Sequence, residues 1–221
     1  MFKQSRLVDF SLSLVGLVLL LPIALLSYPL LVFLLDRPII FKQKRLGQKG
    51  KVFALYKLRS MQPNAEKIQK KYLAQNEAPW PMFKITDDPR FLKKTINFFG
   101  QKKAELAIGK FLSKSGIDEL PQLINILRGE MSLIGPRPLP IKEANLLKTI
   151  DADWYEWRHR VKPGVFSFWA LDKKHNQSLT YWKKLEKKTL RINSLQKIKI
   201  VWQIIMQQFQ LILRQIKLKN N

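Results

Sequence analysis

FSLSLVGLVLLLPIALLSYPLLVFLL, the stretch of residues 10–35, carries no charged side chain. A helix needs about 20 apolar residues to cross a bilayer, so this stretch predicts a membrane-embedded helix over residues 1–37. A cleaved signal peptide would have a shorter apolar region followed by small residues. Here Asp36, Arg37 and Pro38 follow the run, so we expect the segment to be retained.

Basic residues flank this apolar run on both sides. Lys3 and Arg6 precede it, and Arg37 follows it. Because positive residues stay on the cytoplasmic side of a membrane, a straight crossing satisfies only one flank. Pro22 and Pro29 lie inside the run, and proline kinks a helix. A helix that bends near Pro22 and returns to the same face would satisfy both flanks, while a single kinked transmembrane helix is the alternative.

The composition is strongly basic. The chain of 221 residues has 40 Lys and Arg against 16 Asp and Glu, a formal net charge of +24. This excess predicts a polyanionic partner, which could be nucleic acid, an anionic membrane or a phosphorylated substrate. The chain has no cysteine and two histidines, which excludes disulfide scaffolds, thiolate zinc sites and multi-histidine metal centres.

The middle of the chain offers basic candidates for phosphate binding. Apolar stretches at residues 38–41 and 52–56 around a glycine-containing segment predict a β-hairpin. Lys57 and Arg59 follow it directly, where they are either phosphate ligands or solvated cations. Further along, residues 91–111 mix lysines with apolar residues at roughly helical spacing.

The clearest helical pattern begins at Ile117. An apolar residue recurs at helical spacing from Leu120 to Leu127, and Gly129 is a natural stop. Asp118 and Glu119 open this helix. They are interpreted either as an N-cap with a first-turn acid, or as an ionised nucleophile and Mg²⁺ ligands.

Two further features complete the pattern. Arg137 lies between Pro136 and Pro138, where it is either a surface residue or a fixed fork for phosphate. The tail, residues 191–221, predicts a basic amphipathic helix, which is typical of a membrane-surface element or of an ordinary core helix. Neither a Walker-type phosphate loop nor a dinucleotide fingerprint occurs.

The sequence resembles the bacterial sugar transferases, also called monotopic phosphoglycosyl transferases. The matching motifs occur in the same order as in that family. The resemblance spans residues 6 to about 170. The matching stretches are Arg6-Leu-Val-Asp9, Pro22, Phe41-Lys-Gln-Lys-Arg-Leu-Gly47, Tyr56-Lys-Leu-Arg-Ser-Met61, Asp88-Pro-Arg90, Ile117-Asp-Glu-Leu-Pro-Gln-Leu123, Gly129-Glu-Met-Ser-Leu-Ile-Gly-Pro-Arg-Pro138 and Val161-Lys-Pro-Gly164.

The resemblance implies an activity and a site. Such enzymes move a phospho-sugar from a UDP-sugar to a polyprenyl phosphate with Mg²⁺, through a phospho-aspartyl intermediate. It implies that Asp118 is the nucleophile, that Glu119 assists it in metal binding, and that the membrane helix is re-entrant with its break at Pro22. Phosphate binding is expected of basic residues in the matching stretches, namely Lys57, Arg59, Arg90 and Arg137.

The sequence departs from the family at four places, one of which is Gly116-Ile117 where members have Ser/Thr-Leu before the acidic pair. Ser113 stands where members usually have an arginine, and the loop after Gly164 differs from the family's. About a dozen extra residues lie between Asp88 and Asp118 by comparison with the family. These departures leave a second hypothesis open, in which the chain is a non-catalytic, membrane-anchored basic protein that binds lipid or acts as a scaffold.

The predicted architecture is mainly α with a small β-hairpin. It consists of a re-entrant membrane helix (1–37), a cytoplasmic catalytic domain (38–190) with amphipathic surface helices, and a basic amphipathic C-terminal helix (191–221). The expected location is the bacterial inner membrane, with the catalytic domain facing the cytoplasm. The expected partners are the UDP-sugar donor, the polyprenyl phosphate acceptor and an anionic membrane, without nucleic acid. A homodimer is one open oligomeric state.

Overall fold

The computed structural model describes residues 6–98, 102–168, 172, 178–189 and 191–217. This part of the chain is mostly helical and contains three two-stranded sheets. The predicted mainly α class is confirmed, and the sheets extend beyond the one predicted hairpin.

Helix α1, Arg6–Leu34, is 29 residues long and contains Pro22 and Pro29. Its length and apolar composition are sufficient for a membrane-crossing helix. Side chains along its middle, such as those of Leu19 and Leu26, are exposed rather than packed in a core. These features are compatible with a membrane anchor. The helix continues through both prolines, so the break at Pro22 stays a prediction.

Both ends of the apolar segment contact the folded remainder of the chain. In the first turns of α1, Asp9 and Ser13 are buried. Just after the last turn, Leu35 is buried in an apolar cluster with Leu92 and Leu112. The exposed middle of the segment therefore lies between two anchored ends.

The predicted β-hairpin is present. Strand β1, Ile40–Leu46, pairs antiparallel with strand β2, Val52–Leu58, across a 3-10 turn at Gln48–Gly50. The register places Phe41 opposite Lys57. Lys57 thus lies near the end of β2, at the edge of the hairpin that faces the site described below.

A second hairpin corrects the helical spacing inferred for residues 91–111. The elements in this region are strand β3, Lys94–Phe98, strand β4, Lys102–Leu106, and helix α2, Ile108–Ser115. The two strands pair antiparallel. Thr95 and Ile96 are β-branched residues that favour strands, so only the last part of the pattern is helical. This hairpin lies in the interval between Asp88 and Asp118 that carries the extra residues.

The chain enters the next helix through a tight turn. Gly116, with φ of 72°, ends α2 in the left-handed conformation that glycine adopts without strain. A 3-10 turn, Ile117–Glu119, follows, and helix α3 spans Gln122–Leu127 without a side-chain cap. The predicted N-cap role of Asp118 is therefore wrong, because Asp118 lies inside the preceding turn. Gly129, at φ of 80°, follows α3 as the predicted stop.

Two short parallel strands fix the next segment. Strand β5, Ser132–Ile134, pairs with strand β6, Gly164–Phe166. Gly135 and Gly164 approach so closely that a Cβ on Gly164 would lie 2.0 Å from the Gly135 nitrogen. These glycines bring the end of β5, and the Pro-Arg-Pro turn that follows it, against β6.

Three helices enclose a second part of the core. They are α4, Ile141–Ile150, α5, Ala152–Arg158, and α6, Leu179–Thr189. Their side chains bury Leu147, Trp154 and Trp182 in one apolar cluster. Burial of such large side chains contributes about 2 kcal/mol each, which makes this cluster a rigid support for the Pro-Arg-Pro turn.

Helix α7, Ser194–Lys217, divides the predicted apolar stripe between two faces. Val201 is buried, and Lys197 is buried in an ion pair with Asp9 of α1. Other stripe residues are exposed, namely Ile198, Trp202 and Ile205. The side chains of Phe209, Ile212 and Ile216 lie outside the described ones. The helix therefore packs on the domain by one face and presents an apolar outer face.

Candidate functional site

Asp118 has a buried carboxylate at the centre of the site. Its side chain is 5% exposed, and the Ser60 hydroxyl donates a hydrogen bond of 3.3 Å to Oδ2 of Asp118. Burial raises the pKa of Asp118 to about 6, against the opposing charge of Lys57. The group is therefore ionised at neutral pH but is less stabilised as an anion than an exposed carboxylate.

Lys57 joins the two acidic side chains. Its Nζ lies 2.7 Å from Oε1 of Glu119 and 3.8 Å from Oδ2 of Asp118. Burial opposes ionisation of Glu119, but the charge and hydrogen bond of Lys57 outweigh it and lower the pKa of Glu119. The side chains of Lys57 and Glu119 are 22% and 27% exposed, so this side of the cluster is open to a solute.

Arg137 adds a second positive charge. Its charge stabilises the ionised forms of both Asp118 and Glu119. The turn that carries it is held through its carbonyl oxygens: Gly164 N donates to Pro136 O at 2.9 Å, and Arg158 Nη2 donates to Arg137 O at 2.7 Å. The predicted residues Asp118, Glu119, Lys57 and Arg137 are thus brought together from distant parts of the sequence.

Two further cations belong to this cluster, and the sequence reasoning missed them. Arg45 is held by Pro138 O, to which its Nη1 donates at 2.8 Å. Burial and the charge of Arg137 lower the pKa of Arg45 to about 10 and that of Lys84 to about 8. The period of two in β1 could have indicated Arg45, which faces inward with Phe41. Lys84 has no comparable local signal.

The other two predicted phosphate ligands lie elsewhere. Arg59 Nε donates to Pro38 O at 2.9 Å, and its guanidinium lies over the Phe41 ring at 5.9 Å. Arg90 is buried and paired with Asp88 at 2.6 Å, with a further bond to Ala65 O. Because these contacts occupy the Arg90 guanidinium inside the domain, the structure gives it a structural role, and we leave it out of the phosphate-binding set.

The lysines beside Ser113 also have a partner of their own. Lys110 and Lys114 lie 2.8 and 3.0 Å from Oδ1 of Asp87. They are the basic side chains nearest in sequence to the position of the missing family arginine, but these contacts direct them to an exposed acid. Trp169 and Ala170, in the altered loop after Gly164, lie outside the described residues.

The donor set at the site suits a partly hydrated hard cation. Within the described ranges, no group of three or more His, Cys, Asp or Glu side chains converges. Asp118 and Glu119 supply two carboxylates, which is the number that Mg²⁺ commonly uses together with substrate phosphates and water. The residues therefore fit a magnesium ion that a phosphorylated substrate helps to hold, and do not fit a protein-only metal cage.

Similarity to known proteins extends over most of the chain. The family model described as bacterial sugar transferase matches residues 2–215. The galactosyl transferase CpsE of Streptococcus agalactiae is 39% identical over 63% of this chain and 27% of its own length. The undecaprenyl-phosphate galactose phosphotransferase of Salmonella typhimurium is 35% identical over 67% of this chain and 30% of its own length.

A third relative is nearer in size. The exopolysaccharide production protein ExoY of Sinorhizobium fredii is 30% identical over 79% of this chain and 71% of its own length. The chain thus spans less than a third of the first two relatives and most of the third. With the family model matching nearly from end to end, the chain belongs to the bacterial sugar transferase family.

Proposed function

We propose that this protein transfers a phospho-sugar from a UDP-sugar to a polyprenyl phosphate and so initiates a surface glycan. The observation that carries the proposal is the buried Asp118, which lies 3.8 Å from Lys57 and within the field of Arg137. Relatives named as undecaprenyl-phosphate galactose phosphotransferase and UDP-glucose:undecaprenyl-phosphate glucose-1-phosphate transferase support the choice of donor and acceptor.

Binding of the donor uses the cations around the two acids. Lys57 and Arg137 are placed to neutralise the diphosphate, which would otherwise be repelled by Asp118. Arg137 presents a planar fork that suits two phosphate oxygens, whereas Lys57 acts as a point charge. When bound, Mg²⁺ would be held by Asp118 and Glu119 and would neutralise further diphosphate charge.

The transfer then occurs in two displacements. A carboxylate oxygen of Asp118 forms a bond to the phosphorus that carries the sugar, and the bond from that phosphorus to the bridging oxygen breaks. UMP leaves with that electron pair. An oxygen of the polyprenyl phosphate then attacks the same phosphorus and releases the Asp118 carboxylate, so that atoms and charge balance over the cycle.

The raised pKa of Asp118 serves the first displacement. A carboxylate that is poorly solvated is a stronger nucleophile than one fully hydrated in water, and the cations replace the lost solvation as charge develops. Ser60 holds the Asp118 carboxylate in place through its hydrogen bond of 3.3 Å. Positioning and charge neutralisation therefore supply the catalysis, as phosphoryl transfer requires.

We also propose that α1 enters and leaves the membrane on one face. A methyl group at Gly16 would lie 3.5 Å from Leu123, and Leu31 packs with Leu35 on the same domain. Even a straight helix covers only about 22 Å between positions 16 and 31, which is less than the roughly 30 Å hydrocarbon core, and the bend that re-entry requires at Pro22 shortens this distance further. A domain that contacts both ends fits re-entry from the cytoplasmic side.

The same arrangement brings the acceptor to the site. Arg59 is bound to Pro38, which follows the membrane segment closely, so we assign Arg59 to the lipid phosphate. The net charge of +24 and the exposed face of α7 favour the anionic cytoplasmic leaflet, where each nearby Lys or Arg adds about 1 kcal/mol.

A second candidate function is lipid binding without catalysis. It is favoured by Ser113, which replaces the family's arginine while Lys110 and Lys114 bind Asp87. The two functions differ in turnover, which a direct assay measures.

The test uses the full chain in detergent or nanodiscs with Mg²⁺, undecaprenyl phosphate and a panel of UDP-sugars, with UMP release as the readout. Asp118→Asn is expected to abolish release while liposome binding is kept. Asp153→Asn, which alters an exposed acid, is the matched control and is expected to be fully active. Equal turnover by Asp118→Asn would overturn the nucleophile assignment, and no turnover with any donor would favour the lipid-binding function.

A further inference from the structure

A buried acid beside the apolar cluster of Trp154 and Trp182 accepts hydrogen bonds from three side chains. Glu186 on α6 has no exposed surface. Its Oε2 accepts from Trp154 Nε1 at 2.9 Å and from Arg158 Nε at 3.1 Å. Its Oε1 accepts from Arg158 Nη2 at 2.8 Å and from Trp182 Nε1 at 3.2 Å. Both oxygens are therefore satisfied. Glu186 binds Arg158 along one edge of the guanidinium, through Nε and Nη2.

The same nitrogen of Arg158 reaches the site. Nη2 carries two hydrogens, and besides Glu186 it donates to the carbonyl oxygen of Arg137 at 2.7 Å. Pro136 and Pro138 on either side have no N–H group, so their backbone can be held only through carbonyl oxygens. The contact with Arg158 is thus one of the few bonds that can fix the peptide carrying Arg137.

We infer that Arg158, anchored by Glu186, is a positioning residue that aims the Arg137 side chain at the donor diphosphate. The inference rests on the proposed function, since Arg137 is the residue that touches the donor. Fixing one peptide plane fixes the direction of the side chain that leaves it. An arginine suits this task, because lysine lacks the fork that binds Glu186 with two nitrogens while still reaching a carbonyl.

Stability alone is a weak reason for such a pair. A buried ion pair is often no more stabilising than apolar side chains of the same volume, and this one lies within an apolar cluster of tryptophans and leucines. Behind Arg137, however, the pair supplies the hydrogen bond from Arg158 to the Arg137 carbonyl oxygen, which apolar side chains could not donate. A misplacement of about 1 Å in a substrate-binding group can cost up to ~100-fold in rate.

The test is a double-mutant cycle on the full chain, measured as kcat/KM for UMP release. Arg158→Lys and Glu186→Gln are each combined with Arg137→Ala. On the wild-type background, each is expected to lower kcat/KM by about 10- to 100-fold. On the Arg137→Ala background, each is expected to change it by less than about twofold, because a residue that acts through Arg137 has nothing left to position.

Lys183→Met is the matched control. Lys183 joins α6 to the start of α5 through Asp151 at 2.6 Å, so it links the same two helices without reaching the turn. This variant is expected to keep wild-type kcat/KM. Glu186→Gln keeps the volume of Glu186 and one acceptor oxygen, but its amide nitrogen cannot accept from Arg158 or from a tryptophan. It provides a second variant if Arg158→Lys is unstable, and melting temperatures identify that case.

Equal losses on both backgrounds would show that Arg158 and Glu186 act only through the stability of the domain and would overturn the inference. Wild-type kcat/KM in both single variants would also overturn it. An inactive wild-type protein would instead overturn the proposed function and the inference together, so the two failures are distinguishable.

Discussion

Lys57 Nζ lies 2.7 Å from Oε1 of Glu119. This ion pair joins the end of strand β2 to the 3-10 turn before α3. The two residues are 62 positions apart in the sequence. It holds a cation beside the acidic pair at the open side of the site. The arrangement makes Lys57 an electrostatic partner of both acids and, under the proposed function, a charge that an incoming diphosphate meets.

Removal of this cation is expected to impair the reaction. Lys57→Met should lower kcat/KM by about 100-fold or more, because the donor diphosphate loses one neutralising charge. Lys57 also stabilises the ionised forms of both acids, so the acidic limb of the pH–rate profile should move to higher pH. Lys44→Met, at an exposed position of β1, is the control. An acidic limb that stays in place would contradict the electrostatic role of Lys57.

The burial of Asp118 predicts a pH-dependent cost in stability. Its pKa is raised to about 6 in the folded state, above the value near 3.9 in an unfolded chain. Between these values the folded state binds more protons, so the contribution of Asp118 to stability falls as pH rises from about 4 to about 6.

Asp118→Asn removes that cost. It should therefore be more stable than the wild type at pH 7, by on the order of 3 kcal/mol, and the difference should vanish near pH 4. Thermal melts of both proteins in detergent across this range measure it. A difference that is constant with pH would mean that Asp118 is not a buried carboxyl with a raised pKa.

The ion pair between Lys197 and Asp9 predicts that α7 stabilises the first turns of α1. Lys197 Nζ lies 2.8 Å from Oδ1 of Asp9, and both side chains are buried. Lys197→Met leaves an unpaired buried carboxylate, which costs about 3 kcal/mol, so the melting temperature should fall by several degrees. Lys199→Met, at an exposed position two residues along the same helix, should have little effect. Equal melting temperatures for the two variants would contradict the packing of α7 on α1.

Labelling of introduced cysteines tests the re-entrant topology. The chain has no native cysteine, so single cysteines at Lys3 and Lys49 can be compared directly in inverted and intact vesicles. Both are expected to react from the cytoplasmic side, whereas a cysteine at Leu26, in the exposed middle of α1, should react from neither. Labelling of positions 3 and 49 from opposite sides would show that the helix crosses the membrane.

Local patterns were sufficient for part of the fold. The run before Asp36 carries no charged side chain, and two short apolar stretches flank the glycine-containing turn of the first hairpin. The extent of the second hairpin was not predictable, because lysines and apolar residues near Thr95 satisfy both a helical and a strand period. The antiparallel pairing of β3 with β4 selects the strand conformation over the helix.

The site was harder to predict than the elements that carry it. Local patterns and the resemblance both indicate Asp118, Glu119, Lys57 and Arg137, and the structure brings these residues together. Arg90 was selected by the same resemblance, yet its neighbour Asp88 occupies it within the domain. Lys84 and Glu186 carry no motif that could be separated from ordinary surface charge, because their surroundings come from distant segments. Tertiary contacts alone reveal them.

The central claim is that Asp118 carries the phospho-sugar between donor and acceptor. The most direct measurement is to incubate the full chain, without polyprenyl phosphate, with a UDP-sugar that supports UMP release in the assay above. The reaction is then quenched in denaturant, and the adduct is mapped by mass spectrometry. Cleavage after Lys114 and Arg128 isolates Asp118 on one peptide. The account predicts a phospho-sugar mass on this peptide, which disappears when polyprenyl phosphate is added and is absent in Asp118→Asn. An adduct on a different peptide would contradict it, as would full turnover without any adduct.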